Sequence, residues 1–144
     1  MGFHVVRLND LAWEERDRQP EEAPRWHAPL TGPLELGRSR ARMWRYSAGA
    51  KGRRHRDPVQ EEVFVVLEGA MTAYLGEPPE RVDLPAGSVL AVQPGTAIQL
   101  LNESDGDARL FIYGAPPEHG DAEFLPDFSA SRESASADPR RENP

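Results

Sequence analysis

The stretch that decides the fold runs from Gly49 to Gly69: Gly-Ala-Lys-Gly-Arg-Arg-His-Arg-Asp-Pro-Val-Gln-Glu-Glu-Val-Phe-Val-Val-Leu-Glu-Gly. A polar loop with one histidine and several charges runs into an apolar strand and stops at a glycine. His55, Asp57, Glu61 and Glu62 stand together here, and nowhere else in the chain do so many potential ligand groups gather. Side chains on a strand alternate between faces, so only one of Glu61 and Glu62 can point inward. The continuous run Val63 to Leu67 reads as a strand covered on both faces.

Working outward, short apolar runs recur, each closed by turn residues. Arg40 to Ser47 alternates. Met71 to Leu75 follows Gly69 so closely that a hairpin through Glu68-Gly69-Ala70 is expected. Gly76-Glu77-Pro78-Pro79, Pro85-Ala86-Gly87, Pro94-Gly95 and Asp105-Gly106-Asp107 separate the later strands. Several short strands at near-regular spacing, with no helical stretch between them, predict an all-β sandwich or barrel.

The flanks read differently. Phe3 to Leu8 leans to strand, and Asn9-Asp10 is a plausible cap for a turn or two of helix over Leu11 to Glu15. Trp26 to Pro33 reads as an extended arm over the surface. The expected organisation is an N-terminal arm over 1–39, a barrel over 40–115, an extension over 116–128 and a disordered tail over 129–144, where apolar side chains are scarce.

Composition narrows the function classes. The formal net charge of −7 argues against general nucleic-acid binding, which relies on cations neutralising phosphates. The local Arg53, Arg54 and Arg56 cluster is a candidate for steering an anion, or a solvated loop balancing nearby acids. With no cysteine, thiolate chemistry and disulfides are absent. No apolar run approaches the roughly 18 residues of a membrane span. The first residues do not read as a signal peptide, so a cytoplasmic protein is expected.

Two sets of residues resemble the motifs of the cupin family. Gly49, His55, Asp57, Glu62 and Gly69 fall where that family's first motif has Gly, His, His, Glu and Gly. Gly87, Pro94, Gly95, Ile98 and Asn102 fall where the second has Gly, Pro, Gly, His and Asn. The resemblance spans about Arg40 to Ala115 and implies a jelly-roll barrel, the double-stranded β-helix, with the N-terminal arm and its helix added. In metal-binding members three histidines and the glutamate hold a divalent ion. Here Asp57 and Ile98 replace two of the histidines, and Ile98 cannot ligate.

The resemblance therefore implies two functions. One is a small-molecule binding module with a lost or atypical metal site, the preferred reading. The other is a metal-dependent isomerase, epimerase or dioxygenase with Mn, Fe or Zn on His55, Asp57 and Glu62. His55 and Glu62 are the candidate catalytic residues, since a histidine beside carboxylates tends to keep its proton. Asp57, Phe64, Ile98, Asn102, Trp44 and Tyr46 are candidate pocket residues. Asp57 is equally a turn residue before Pro58, and Asn102 is read as structural within that wall. His4, His27 and His119 read as surface residues. Expected partners are a small molecule and a second copy of the chain, with no nucleic acid and no membrane.

Overall fold

The alternation over Arg40 to Tyr46 organises the larger of two sheets. The computed structural model describes residues 2–117 and 122–127. In chain order the strands are β1 (Glu14–Glu15), β2 (Arg25–Pro29), β3 (Arg40–Tyr46), β4 (His55–Arg56), β5 (Glu61–Glu68) and β6 (Ala70–Leu75). They continue as β7 (Glu80–Pro85), β8 (Val89–Val92), β9 (Ile98–Leu101), β10 (Ala108–Ala115) and β11 (Glu123–Phe124). One sheet has the order β1-β2-β3-β10-β5-β8, the other β11-β4-β9-β6-β7, and the pairings are antiparallel. This is the jelly-roll architecture that the motif resemblance implied, and a two-sheet all-β fold of the kind the evenly spaced strands predicted. Among the described residues, no helix is long and apolar enough to cross a membrane.

Register converts the sequence alternation into rows that cross the larger sheet. Glu62, Gly114 and Arg40 form one row; Phe64, Ile112 and Arg42 form the next. Val66, Leu110, Trp44 and His27 form a third. These residues share the face turned toward the second sheet. Phe64, Val66, Trp44 and Leu110 are buried there with Met71, Ala73, Ile98 and Leu100 in one continuous core. Burying each large apolar side chain contributes about 1.5–3 kcal/mol, which fixes the register, because a one-residue slip would turn the whole row to solvent.

The opposite face of β3 and β2 carries Ala41, Met43 and Ala28. Leu11, Trp13, Leu34, Leu36 and Val6 pack over it in a second apolar cluster. The N-terminal segment thus covers the outer face of β2 and β3. It also does more, because Arg25–Pro29 is itself a strand paired along β3 rather than an arm lying over the surface.

Four local expectations are corrected. The helix over Leu11 to Glu15 is absent: a single 3-10 turn spans Leu8–Asp10, and Glu14–Glu15 is a strand on β2. So short a helix nucleates poorly, and pairing along β2 supplies the backbone partners instead. No strand forms over Phe3 to Leu8. Gly69 is not the turn of a hairpin but the corner at which the chain leaves one sheet for the other, since β6 pairs with β7 and β9. Its φ of +74° and the adjacent Asp107 carbonyl oxygen, against which a Cβ would clash, make glycine the residue that fits. The outer face of β5 is not fully covered, because the N-terminal segment stops short of it: Leu67 is 48% exposed, and Val63 and Val65 are half-buried. The expected tail, with His119 and Phe128, lies outside the described residues.

Candidate functional site

Between the sheets lies a cavity of about 340 Å³. Inward parity on β5 brings Glu62 and Phe64 to its wall, and leaves Glu61 in solvent. From β3 come Trp44 and Tyr46, and from the facing sheet Ile98 on β9 and His55 on β4, paired with each other in register. Seven of the residues singled out in the sequence, His55, Asp57, Glu62, Phe64, Ile98, Trp44 and Tyr46, line this one cavity.

His55 is held from two sides. Its Nδ1 lies 3.2 Å from the Arg53 carbonyl oxygen, to which it donates, and this orients Nε2 toward Glu62 Oε1 at 3.7 Å. That distance is too long for a hydrogen bond and makes the contact an ion pair. The Glu62 carboxylate raises the His55 pKa above its ordinary value; burial opposes the shift, and the Arg53 carbonyl and Asp57 add to it. His55 therefore holds its proton to higher pH than a free histidine, as expected of an imidazole beside carboxylates.

Asp57 lines the cavity but is committed elsewhere. Its Oδ1 accepts the Val59 amide at 2.9 Å and the Gln60 amide at 2.7 Å, so it builds the turn that starts at Asp57-Pro58. Among the described residues, no three His, Asp or Glu side chains come together as a set able to hold a metal ion. Of the family's ligand positions, Ile98 offers no donor, and at Asp57 one carboxylate oxygen, Oδ1, already accepts two backbone amides.

Asn102 corrects a second expectation, since it is not part of the cavity wall. It is 1% exposed and donates its amide toward the backbone oxygens of Tyr46, Ser47 and Gly106 at 3.0, 3.1 and 2.8 Å. Its carbonyl accepts from the Ser104 amide and hydroxyl. An asparagine whose whole hydrogen-bonding capacity serves the backbone holds a loop and faces no ligand.

His27 also departs from expectation. Rather than lying on the surface it is buried, with its ring 5.3 Å from that of Trp44. Nε2 meets Glu14 Oε2 at 3.0 Å, and Nδ1 faces Arg42 Nη1 at 3.5 Å. Burial, then Arg42 and Arg16, lower its pKa, which suits a neutral ring donating to Glu14 and accepting from Arg42.

Four arginines in the wall were missed: Arg16, Arg25, Arg40 and Arg42. For two of them a signal was available. Arg40 and Arg42 share strand parity with Trp44 and Tyr46, so the alternation that turned the aromatic rings inward turned these cations inward too. Arg16 and Arg25 come from a segment read as helix and arm, where no parity could be assigned. Of the loop cluster, Arg53 lies in the wall and stacks over Phe124 at 3.6 Å. Arg54 and Arg56 turn away to Glu77 and Glu123, the balancing role weighed for them.

Comparisons with known proteins agree with this geometry. The cupin domain matches residues 42–113. No curated protein matches the chain. The polyketide cyclase RemF of Streptomyces resistomycificus superposes with a TM-score of 0.71 at 19% identity, over 96% of this chain and 95% of that one. A predicted oxalate decarboxylase of Thermotoga maritima gives 0.68 at 16% identity, over 78% of this chain and 98% of that one. A cupin-superfamily sugar phosphate isomerase of Silicibacter pomeroyi gives 0.67 at 21% identity, over 77% and 74%. At such identities the likeness concerns the fold alone. With both motifs in register on two antiparallel sheets and the domain matched across half of its length, the chain belongs to the cupin family.

Proposed function

We propose that this cupin holds a small molecule between its sheets and that the site works without the family's metal centre. The observation that carries the reading is the His55–Glu62 pair, set in the wall of a cavity whose other sides include Trp44, Phe64, Ile98 and Ile112. A mostly apolar cavity with a few convergent polar groups is the usual form of a small-molecule site. His55, when it carries its second proton, supplies a donor through Nε2, and Glu62 supplies an acceptor. Together they orient a polar group of the ligand, and they are the acid–base couple that any turnover would use. The structural neighbours, described as a cyclase, a predicted decarboxylase and an isomerase, support a small-molecule occupant without selecting one. The metal-dependent alternative would have no donor at Ile98 and would rely on an Asp57 whose Oδ1 already accepts two backbone amides.

The test has two parts. Elemental analysis of protein prepared without chelators is expected to find substoichiometric Mn, Fe and Zn; one equivalent of any of them overturns the metal-free reading. A thermal-shift screen of small metabolites is expected to give hits that disappear in Ile112→Trp, where the indole fills the cavity. Hits that persist in that variant place binding elsewhere and overturn the pocket assignment. The same reading includes a homodimer, supported by the exposed Leu67, Val89 and Tyr113 on the outer face of β5, β8 and β10. Sedimentation of a monomer at micromolar concentration removes it.

A further inference from the structure

The charge in the cavity wall runs against the charge of the chain. The protein carries 24 Asp and Glu against 17 Lys and Arg. The cavity is lined by five arginines, Arg16, Arg25, Arg40, Arg42 and Arg53, and by two carboxylates, Asp57 and Glu62. Asp57 is turned to the backbone amides and Glu62 to His55. Several arginines outside the cavity pair with carboxylates: Arg45 with Asp107, Arg81 with Glu103, Arg109 with Glu68, Arg18 with Glu15. Among the described residues, no ion pair joins Arg16, Arg25 or Arg42 to a carboxylate.

These cations are held in place by neutral partners. The Arg25 guanidinium stacks 4.8 Å from the Trp44 ring and 5.6 Å from the Tyr46 ring, and that of Arg42 lies 5.8 Å from Trp44. Arg42 donates to His27 Nδ1 at 3.5 Å, whereas Arg16 lies 3.4 Å from Nε2, whose proton is given to Glu14. Arg42 is affected first by its burial and then by its like-charged neighbours Arg40 and Arg16, which lower its pKa; the Glu62 field offsets part of this. Clustered guanidinium groups repel one another, and aromatic faces fix their planes without neutralising them. An anion neutralises them, and guanidinium is the group best shaped to meet a planar or tetrahedral oxyanion with paired hydrogen bonds.

Resting on the pocket reading above, we infer that the occupant is an amphiphilic anion. Its carboxylate or phosphate sits against Arg16, Arg25, Arg40 and Arg42, and its apolar body lies against Trp44, Phe64 and Ile112. The positive wall draws such a molecule from solvent despite the net negative charge of the chain. His55 and Glu62, across Gly114 from Arg40, meet the end of the ligand remote from its charge.

Isothermal titration of the full chain tests this with 2-naphthoate, 2-naphthyl phosphate and neutral 2-naphthamide. The acid and the phosphate are expected to bind about tenfold or more tightly than the amide, the scale of a hydrogen bond to a charged group, and their advantage is expected to shrink as NaCl is raised. The ratio of acid to phosphate then identifies the oxyanion. Arg42→Gln and Arg25→Gln are expected to remove the preference, Arg42→Lys to restore part of it, and Arg54→Gln, outside the cavity, to leave it intact. Equal binding of acid, phosphate and amide overturns the inference while the pocket reading survives. Binding of none of the three overturns both. Arg42→Gln and Arg25→Gln proteins that melt earlier yet keep the full anion preference also overturn it, since these arginines would then serve packing alone.

Discussion

Replacing Asn102 separates a residue that holds the fold from one that meets a ligand. In the folded chain its two amide hydrogens serve three backbone oxygens, and its carbonyl accepts two further bonds from Ser104. Asn102→Ala leaves the buried Tyr46 oxygen without this donor beside a residue that is 1% exposed, while the Gly106 oxygen keeps the Ser104 hydroxyl. A buried polar group that loses its partner costs about 1–3 kcal/mol, so the loss should be of that size, a sizeable part of the roughly 5–15 kcal/mol of a typical domain. Asn102→Asp keeps the acceptor bonds to Ser104 but turns a carboxylate toward those same oxygens. Its folded pKa must rise above the unfolded value of about 3.9. A carboxyl with a raised folded pKa takes up protons on folding, so the Asp variant should lose stability progressively as pH rises from about 4, while the Ala variant shows no such added dependence. Urea unfolding of both variants between acid and neutral pH measures this, with unchanged slopes confirming the same two states. An Ala loss below about 1 kcal/mol, or identical pH profiles for the two variants, would refute the hydrogen-bond assignment.

Other consequences follow from the same contacts. The raised pKa of His55 makes its ion pair with Glu62 stabilising below the unfolded histidine value of 6.5, while Glu62 stays ionised, and that contribution is lost as pH rises through the folded value. The stability gap between wild type and Glu62→Gln, read by thermal unfolding, should therefore narrow on going alkaline. His27 has the opposite sign: its pKa is lowered, so its contribution is present above 6.5 and lost as pH falls, and His27→Gln should be less acid-sensitive than wild type in the same assay. Gly69→Ala combines a left-handed backbone with a clash against the Asp107 carbonyl and should cost more than about 2 kcal/mol by urea titration; a neutral result would mean that the sheet-to-sheet corner can relax.

What the sequence disclosed follows from where its signals are local. Strand alternation and turn residues are short-range, so an all-β sandwich or barrel was legible from them, and the motif resemblance over Arg40 to Ala115 narrowed it to the jelly roll. The motif resemblance chose Glu62 over Glu61, and parity then turned Phe64 and Val66 inward with it. The pairing of His55 with Ile98 needed the long-range register of β4 on β9, which neither propensity nor the motifs gave; the resemblance only assigned both residues to the same site. Errors fell where local patterns had competing outcomes. Leu11 to Glu15 has a fair helix start, but Trp13 and Leu11 found apolar cover on the sheet and Glu14 found a strand partner. His27 carries no motif and no periodic context, and its burial follows only from β2 joining β3. Asn102 was placed with the pocket because its strand face was known and the loop it caps was not.

The two cupin motifs and the binding chemistry draw on different parts of the chain. The motif residues that survive, Gly49, Gly69, Gly87, Pro94, Gly95 and Asn102, shape corners and loops, and of the ligand positions only His55 and Glu62 keep their family identity. Where a histidine would complete a metal set, Ile98 closes the wall with an apolar side chain that is 1% exposed. The opposing wall gained its charge from β1 to β3 and the residues beside them, through Arg16, Arg25, Arg40 and Arg42, which neither motif includes. A metal centre would add a further cation beside these guanidinium groups, raising the repulsion they already exert on one another. Under the proposed reading, the absence of a donor at Ile98 and the gathering of arginines on the facing strands are two sides of one arrangement, in which guanidinium groups that can lie flat against an anion carry the positive charge of the site.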